Sequence, residues 1–263
     1  TGVPRRLTGL TLDSLLLGQD SERGPSIRIG NIDADPQLEI VVGHQYISNM
    51  AISVIDGLSL QVQWERSYGF IYPGIHDLEL VGEGVGSKIV VVTRENVVRL
   101  DGQSGAPEWT SPLLLGVGAR RIVLGHLDAD PDPELSVSVG AQVRIMDVAT
   151  GQTVREMTAP GVILGQRIEN VTAGCRHVLI LANQLRRHHC QTGQLLSARS
   201  LPFVADLVTF DADSDGILVL GSGEVIRAID GQGVVIAQWS GLGPRVGWGS
   251  HAAVDSSDDG MSI

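Results

Sequence analysis

The stretch Gly30–His44, GNIDADPQLEIVVGH, sets two aspartates, a proline and a glutamate directly before a run of strand formers. It recurs with changes as GHLDADPDPELSVSVG (Gly125–Gly140) and as FDADSDGILVLG (Phe210–Gly221). A weaker echo, VDSSDDGMSI, ends the chain at Ile263. An acidic loop that returns in this way belongs to a repeating structural unit, and the unit has to be read before the loop.

A second recurring element fixes the period. Asp-Gly or Thr-Gly followed by a short strand, often ending in Trp, occurs as VIDGLSLQVQW, RLDGQSGAPEW, IMDVATGQTVRE, HHCQTGQLLSA and AIDGQGVVIAQW. Its anchors Asp56, Asp101, Asp147, His189 and Asp230 are spaced by 45, 46, 42 and 41 residues, and a degenerate earlier copy falls at Asp13 in LTLDSLLLG. Each unit reads as four short strands; in the first full one they are SIRIGNI, LEIVVGH, AISVID and QVQWER. Runs of Val, Ile and Leu broken by Gly, Asp and Pro are strand signals, and no helix-period segment of useful length intervenes. Four strands in each unit of this length is the arithmetic of a propeller blade.

The expected fold is therefore all-β: a β-propeller of four-stranded antiparallel blades, five complete and a sixth shared by the two termini, in one domain over residues 1–263. The chain starts inside the third strand of one unit (RLTGLTLD) and stops inside the second strand of another (GMSI). Two half-units of this kind would close a ring without an open sheet edge. Both are weak copies, and TGVPRRLTGLTLD has neither an initiator Met nor the apolar core of a signal peptide. The expectation is a processed chain or a piece of a longer one, whose neighbouring sequence completes the ring or docks on it.

Composition narrows the function classes. Hydrophobic residues make up 43% of the 263 and aromatics only 4%, so the core is aliphatic. A net charge of −11 argues against nucleic acid or an anionic membrane surface as partner. No apolar run approaches the ~18 residues of a membrane span.

At these residues the chain resembles two repeat families. GNIDADPQLEIVVG is similar to the FG-GAP or VCBS repeat of integrin α-chain propellers and many bacterial surface proteins. DGQSGAPEW and DVATGQTV resemble the PQQ-like repeat of quinoprotein dehydrogenases and of the outer-membrane assembly lipoprotein. The FG-GAP resemblance implies calcium, held by acids at loop positions one, three, five and nine with Gly at six. In the first copy these positions are Asn31, Asp33, Asp35 and Glu39; in the second they are His126, Asp128, Asp130 and Glu134. Position six is Pro36 and Pro131, and proline cannot take the positive φ that glycine supplies, so the turn departs from the family's. The third copy has Asp211, Asp213, Asp215 and Gly216 but Val219 at nine; the last has Asp255, Ser257, Asp259 and Gly260. Units two and four have lost the acids. Two readings stand for these loops: oxygen ligands around Ca2+, or Asx turns in which each aspartate bonds its own backbone.

Other chemistry is sparse. A two-residue turn at Ala182 and Asn183 sets Cys175 opposite Cys190, which permits either a disulfide or two buried thiols. A disulfide would place the protein outside the cytosol. LRRHHC (Leu185–Cys190) is the one basic cluster and reads as an exposed edge. His188 and His189 point to opposite faces of a strand, and the other histidines, His177 among them, show no metal-ligand spacing. Asn170-Val171-Thr172 is a glycosylation sequon in a eukaryotic secreted context. There is no nucleophile elbow, phosphate loop or CxxC, and GLGPRVGWG lacks the strand-to-helix setting of a dinucleotide site. The reading is a non-catalytic, extracytoplasmic module that binds a protein partner or neighbouring domains of a larger chain. The alternative is a sugar-binding propeller or a propeller enzyme that uses the central funnel.

Overall fold

A computed structural model describes residues 26–46, 49–67, 75–93, 95–112, 120–128, 130, 132–171, 174–205, 207–210, 218–222 and 225–240. They form five four-stranded antiparallel sheets, each built from consecutive strands bonded in chain order. The first holds β1 (Ser26–Gly30), β2 (Glu39–Tyr46), β3 (Asn49–Asp56) and β4 (Val62–Ser67). The second holds β5 (Asp77–Val81), β6 (Lys88–Val92), β7 (Asn96–Asp101) and β8 (Pro107–Pro112). In the third are β9 (Arg120–Gly125), β10 (Glu134–Val139), β11 (Gln142–Asp147) and β12 (Thr153–Thr158). The fourth comprises β13 (Ile163–Val171), β14 (Gly174–Leu181), β15 (Gln184–His189) and β16 (Leu195–Ser200). The fifth comprises β17 (Leu207–Phe210), β18 (Leu218–Ser222), β19 (Val225–Ile229) and β20 (Val235–Ser240). The first two sheets belong to one compact unit, ending at residue 115, and the other three to a second. The terminal half-units expected at 8–17 and 253–263 lie outside the described residues.

Burial explains the strand patterns. Second strands are covered on both faces, so β10 (ELSVSV) is buried throughout and β6 (KIVVV) nearly so. Fourth strands alternate: β4, β8 and β12 keep every second side chain in solvent, as a strand with one packed face does. In the first unit Val41, Ile52 and Val54 pack with Leu78, Ile89, Val91 and Leu100. In the second unit Val143, Ile145, Ile163 and Leu179 form one aliphatic layer, and Val178, Ile180, Leu185, Val208 and Ile229 form another. Each such side chain contributes roughly 1.5–3 kcal/mol on burial, which accounts for a stable core with so few aromatics.

The glycine that opens the acidic motif has a packing role. A Cβ on Gly30 would stand 2.7 Å from Leu80 Cδ1, and one on Gly125 would stand 2.5 Å from Ile168 Cδ1. Each glycine makes room for the first strand of the next sheet in its own unit. The fourth strand docks on the next sheet as well: Trp64 Nε1 donates to the Gly102 carbonyl at 2.9 Å, and the indole covers Gly105. In the second unit Arg155 takes this place, donating to the carbonyls of Cys190 and Gln191, with Met157 against Gly193.

The basic cluster corrects the sequence reading. LRRHHC lies on and just past β15, an inner strand between β14 and β16, and Leu185, Arg187, His188 and Cys190 are buried rather than at an exposed edge. Arg187 is tolerated there because it pairs with Glu169 and donates to the Gly231 carbonyl.

The recurring Asp-Gly element is the turn between third and fourth strands. Oδ1 of Asp101 accepts from the Ser104 N–H (2.9 Å) and hydroxyl (2.7 Å), and Asp147 holds Thr150 in the same way. The residue that closes the turn is left-handed: Gly105 (φ 66°), Gly151 (72°), Gly193 (70°) and Gly233 (79°). In the first sheet this position is Leu60, with φ 58°. An L side chain in that conformation costs about 1–2 kcal/mol. Leu60→Gly should therefore raise the unfolding free energy by up to about 1 kcal/mol, once the extra chain entropy of glycine is deducted. Urea unfolding of the variant is the measurement, and a lower midpoint than the parent's would contradict it.

Candidate functional site

The acidic loop between β1 and β2 is clamped by its own side chains. Asp33 Oδ1 accepts from the Asp35 N–H at 2.9 Å, and Asp35 Oδ1 accepts from the Gln37 N–H at 2.7 Å. Asn31 Nδ2 closes the base of the loop on the Asp35 carbonyl at 2.6 Å. Both aspartates therefore make Asx turns. Glu39 is different: it starts β2, is fully buried, and reaches back under the loop to accept the Ile32 N–H on Oε2 at 2.7 Å. Its second oxygen, Oε1, is buried without a hydrogen bond. Burial, together with the nearby charges of Asp33, Asp35 and Asp56, pushes this carboxyl up from its ordinary value.

The loop between β9 and β10 repeats the device. Asp128 accepts from the Asp130 N–H and Asp130 from the Asp132 N–H, both at 2.9 Å. Glu134, also buried, accepts the N–H groups of Leu127 and Asp128. In each loop one oxygen from every acid (Asp33, Asp35 and Glu39; Asp128, Asp130 and Glu134) lies within 4.8 Å of the other two. The donor set is hard oxygen throughout, and the first loop adds the bare Glu39 Oε1. These residues fit a calcium ion, which takes several oxygens from a flexible loop. The third set, Asp211, Asp213 and Asp215, lies outside the described residues.

The sheets without acidic loops treat the same register position differently. Glu39 faces Asp56 and Glu134 faces Asp147, each a pair of like charges across neighbouring strands. In the second sheet the position is Lys88, facing Asp101, and in the fourth it is Arg176, facing His189. Lys88 is the chain's one lysine. Its ammonium lies 2.9 Å from Asp101 Oδ2 and 2.5 Å from Glu108 Oε1.

The β14–β15 hairpin carries the second constellation. Leu181 pairs with Gln184 around the two-residue turn expected at Ala182 and Asn183. Cys175 and Cys190 are joined in a disulfide, their Cα atoms 5.5 Å apart, so of the two readings open from sequence the bridged one is present. Reading the histidines singly missed one relation: His177 pairs with His188 on the same hairpin. The turn that aligns the cysteines aligns these two as well, and that signal was in the sequence. His177 is fully buried, and desolvation drives its imidazole down to about 3.

No family model matches the chain, and the comparison with curated proteins gives no match. Solved structures do match in shape. The structure of BBS1N in complex with ARL6DN is similar over 84% of this chain and 70% of that one, at 12% identity and a TM-score of 0.62. Sqt1 of Saccharomyces cerevisiae is similar over 77% of this chain and 58% of that one, at 10% identity and a TM-score of 0.56. A Bacteroides caccae protein of unknown function matches 78% of this chain and 73% of that one, at 13% identity and a TM-score of 0.50. At such identities the likeness shows the fold alone: an all-β chain of four-stranded antiparallel sheets with propeller-like neighbours.

The Lys88–Asp101 pair yields a pH test. The Ser104 hydroxyl and the Lys88 ammonium hold the Asp101 carboxyl at about 2, below its ordinary 3.8. Folding therefore gains from this group above the unfolded value, and the gain is lost as the pH falls from 3.8 to about 2. Urea midpoints measured across that window should fall less steeply for Asp101→Asn than for the parent. Equal slopes would show that Asp101 adds nothing.

Proposed function

We propose that this chain is a non-catalytic, extracytoplasmic β-propeller that serves as a protein-interaction or adhesion scaffold and holds calcium in its acidic blade loops. In this reading it has five complete blades and a sixth shared by its termini. It belongs with the FG-GAP/VCBS repeats through its first loop and with the PQQ-like repeats through its third. The observation that carries the reading is the division of labour within each repeat. Apolar residues lie on the faces between sheets, while the loops between first and second strands are what differ from unit to unit. The likeness to BBS1N, solved in complex with another protein, supports a partner-binding role. The Cys175–Cys190 bond supports an oxidising location.

Calcium is favoured by the like charges at Glu39–Asp56 and by the bare Glu39 Oε1. Asp33 and Asp35 hold the turn through Oδ1, while Asp33 Oδ2, which accepts from Gln63 Nε2 at 2.9 Å, keeps a further lone pair for a cation. In the first loop Asp33, Asp35 and Glu39 would supply ligands; in the second, Asp128, Asp130 and Glu134 would do so. Asp211, Asp213 and Asp215 would provide a third set. The ion would neutralise carboxylates that otherwise repel one another.

Two measurements test this. At about 100 times its dissociation constant, a cation adds about 2.7 kcal/mol to stability, so millimolar calcium should raise Tm by roughly 5–10 °C over chelator. Glu39→Gln should remove part of that rise while keeping an acceptor for the Ile32 N–H. An unchanged Tm would reduce the loops to Asx turns. Separately, a glycan array and a quinone screen should show no saturable binding. A bound chromophore or a saturable sugar would replace the scaffold with the funnel-binding alternative.

A further inference from the structure

An aspartate clamps the turn between third and fourth strands in four of the five sheets. Asp56 accepts from the Leu58 and Ser59 N–H groups, Asp101 from Ser104, Asp147 from Thr150, and Asp230 from Gln232 and Val234. In the fourth sheet the anchor is His189, which has no carboxylate to offer, and its Nδ1 is buried with no hydrogen-bond partner. What replaces the clamp is covalent. The next residue, Cys190, is bonded to Cys175 across the open end of the β14–β15 hairpin, and its N–H donates to the Cys175 carbonyl at 3.4 Å. These are the chain's two cysteines, so the β15–β16 turn alone is tied by a bond that a reductant can break.

That turn is also a support for the third sheet. Gln191 Nε2 donates to the Asp128 carbonyl at 3.3 Å, inside the acidic loop between β9 and β10. The Cys175 sulfur lies 3.3 Å from the His126 carbonyl oxygen, at the start of the same loop. Arg155 of β12 donates to the Cys190 and Gln191 carbonyls, and a Cβ on Gly193 would stand 2.9 Å from Met157 Sδ. The acidic loop of the first sheet is supported differently. There the Asn31 carbonyl accepts the Gly84 N–H at 2.9 Å, main chain to main chain. The two loops thus share their Asx turns and buried glutamates, but only the second leans on a segment whose own closure is a disulfide.

We propose that the Cys175–Cys190 bond is a redox switch on the β9–β10 acidic loop. The reductant is a dithiol. One of its thiolates attacks a protein sulfur, its two sulfurs then join as the protein's S–S bond breaks, and two electrons and two protons pass to the cysteines; an oxidised dithiol reverses the exchange. Cys175 is only partly buried, so the attacking thiolate can reach it. Opening the bond frees a turn that has no carboxylate to hold it. Local opening extends to what the turn supports, and here that is the His126 and Asp128 carbonyls and the Arg155 guanidinium. The loop between β1 and β2 keeps its own support. The consequence for calcium rests on the cation reading above: the reduced chain keeps the ion at Asp33, Asp35 and Glu39 and holds it less tightly at Asp128, Asp130 and Glu134. The loosening of the loop does not rest on that reading.

Hydrogen exchange of the whole chain in calcium, before and after reduction with excess dithiothreitol, reads the switch. The Leu127, Asp128 and Asp130 amides should exchange about tenfold faster after reduction, as the loss of one hydrogen bond supporting the loop would give, while those of Ile32, Asp35 and Gln37 should not change. Gln191→Ala, which keeps the disulfide, should speed the same loop amides in the oxidised protein. His189→Asp should abolish the response, because the new carboxylate faces Arg176 and can hold Thr192 as Asp147 holds Thr150. Calcium titration of both redox states should show one affinity kept and one lowered about tenfold, an ordinary coupling between sites. Unchanged exchange at Leu127, Asp128 and Asp130, with the bond shown open by mass, overturns the proposal. A rise throughout the chain overturns it too, since the bond would then hold the whole fold and not the loop. So do equal affinities in the two states when calcium is bound. If the amides respond but neither state binds calcium, the switch stands and the cation reading is what fails.

Discussion

A four-stranded sheet of this length cannot cover its own two faces. Val41, Ile52 and Val54 on one sheet need Leu78, Ile89 and Val91 on another, and the same need recurs between the later sheets. Every other feature of the repeat serves that packing. The glycines ahead of the first two acidic motifs, Gly30 and Gly125, are bare because an aliphatic side chain from the next sheet lies against each. The turn between third and fourth strands is tight because a tryptophan, arginine or methionine from the neighbouring fourth strand rests on it. The loops between first and second strands differ most from unit to unit, though they too meet the next sheet: the Gly84 N–H donates to the Asn31 carbonyl at 2.9 Å.

Those loops face a problem of their own. Their backbone turns sharply, and the N–H groups of Ile32 and Leu127 are buried and need acceptors. A glutamate at the start of the second strand answers this by folding its carboxylate beneath the loop. The cost is a buried negative charge facing a second acid across the strand. Structure and cation binding are therefore not competing explanations for the motif. The aspartates that make Asx turns also crowd charge around that carboxylate, and the crowding is what makes a cation welcome.

The fold was legible because the signals were periodic. Strand spans in the first unit, the turn anchors at Asp56, Asp101 and Asp147, and the Ala182–Asn183 hairpin follow from spacing and turn chemistry alone. The exposed-edge reading of LRRHHC failed because local charge was weighed above position in the repeat. The third strand of a unit is interior, and Arg187 lives there by pairing with Glu169. The relation between His177 and His188 lies across the hairpin and not along the chain, so spacing between chain neighbours does not show it. The αL residue of the first turn, Leu60, hid because leucine carries no turn signal. The buried glutamate's role was hidden too, since nothing in a lone Glu before an apolar run says which backbone amides it will meet.

One register position then ties the charge pattern together. At the second-strand position that faces the turn anchor, the chain carries Glu39, Lys88, Glu134 and Arg176 in its first four sheets. Where the residue is acidic, a loop with spaced aspartates accompanies it; where it is basic, the loop has no aspartate. Lys88 shows why the two go together: its ammonium bridges Asp101 and Glu108, supplying from within the chain the positive charge that the Glu-bearing sheets lack. An acid facing an acid is tolerable when a cation arrives from solution, and a lysine or arginine makes that arrival unnecessary. Charge neutrality at this position is met from within the chain at Lys88, and under the calcium proposal an ion from the medium would meet it at Glu39 and Glu134.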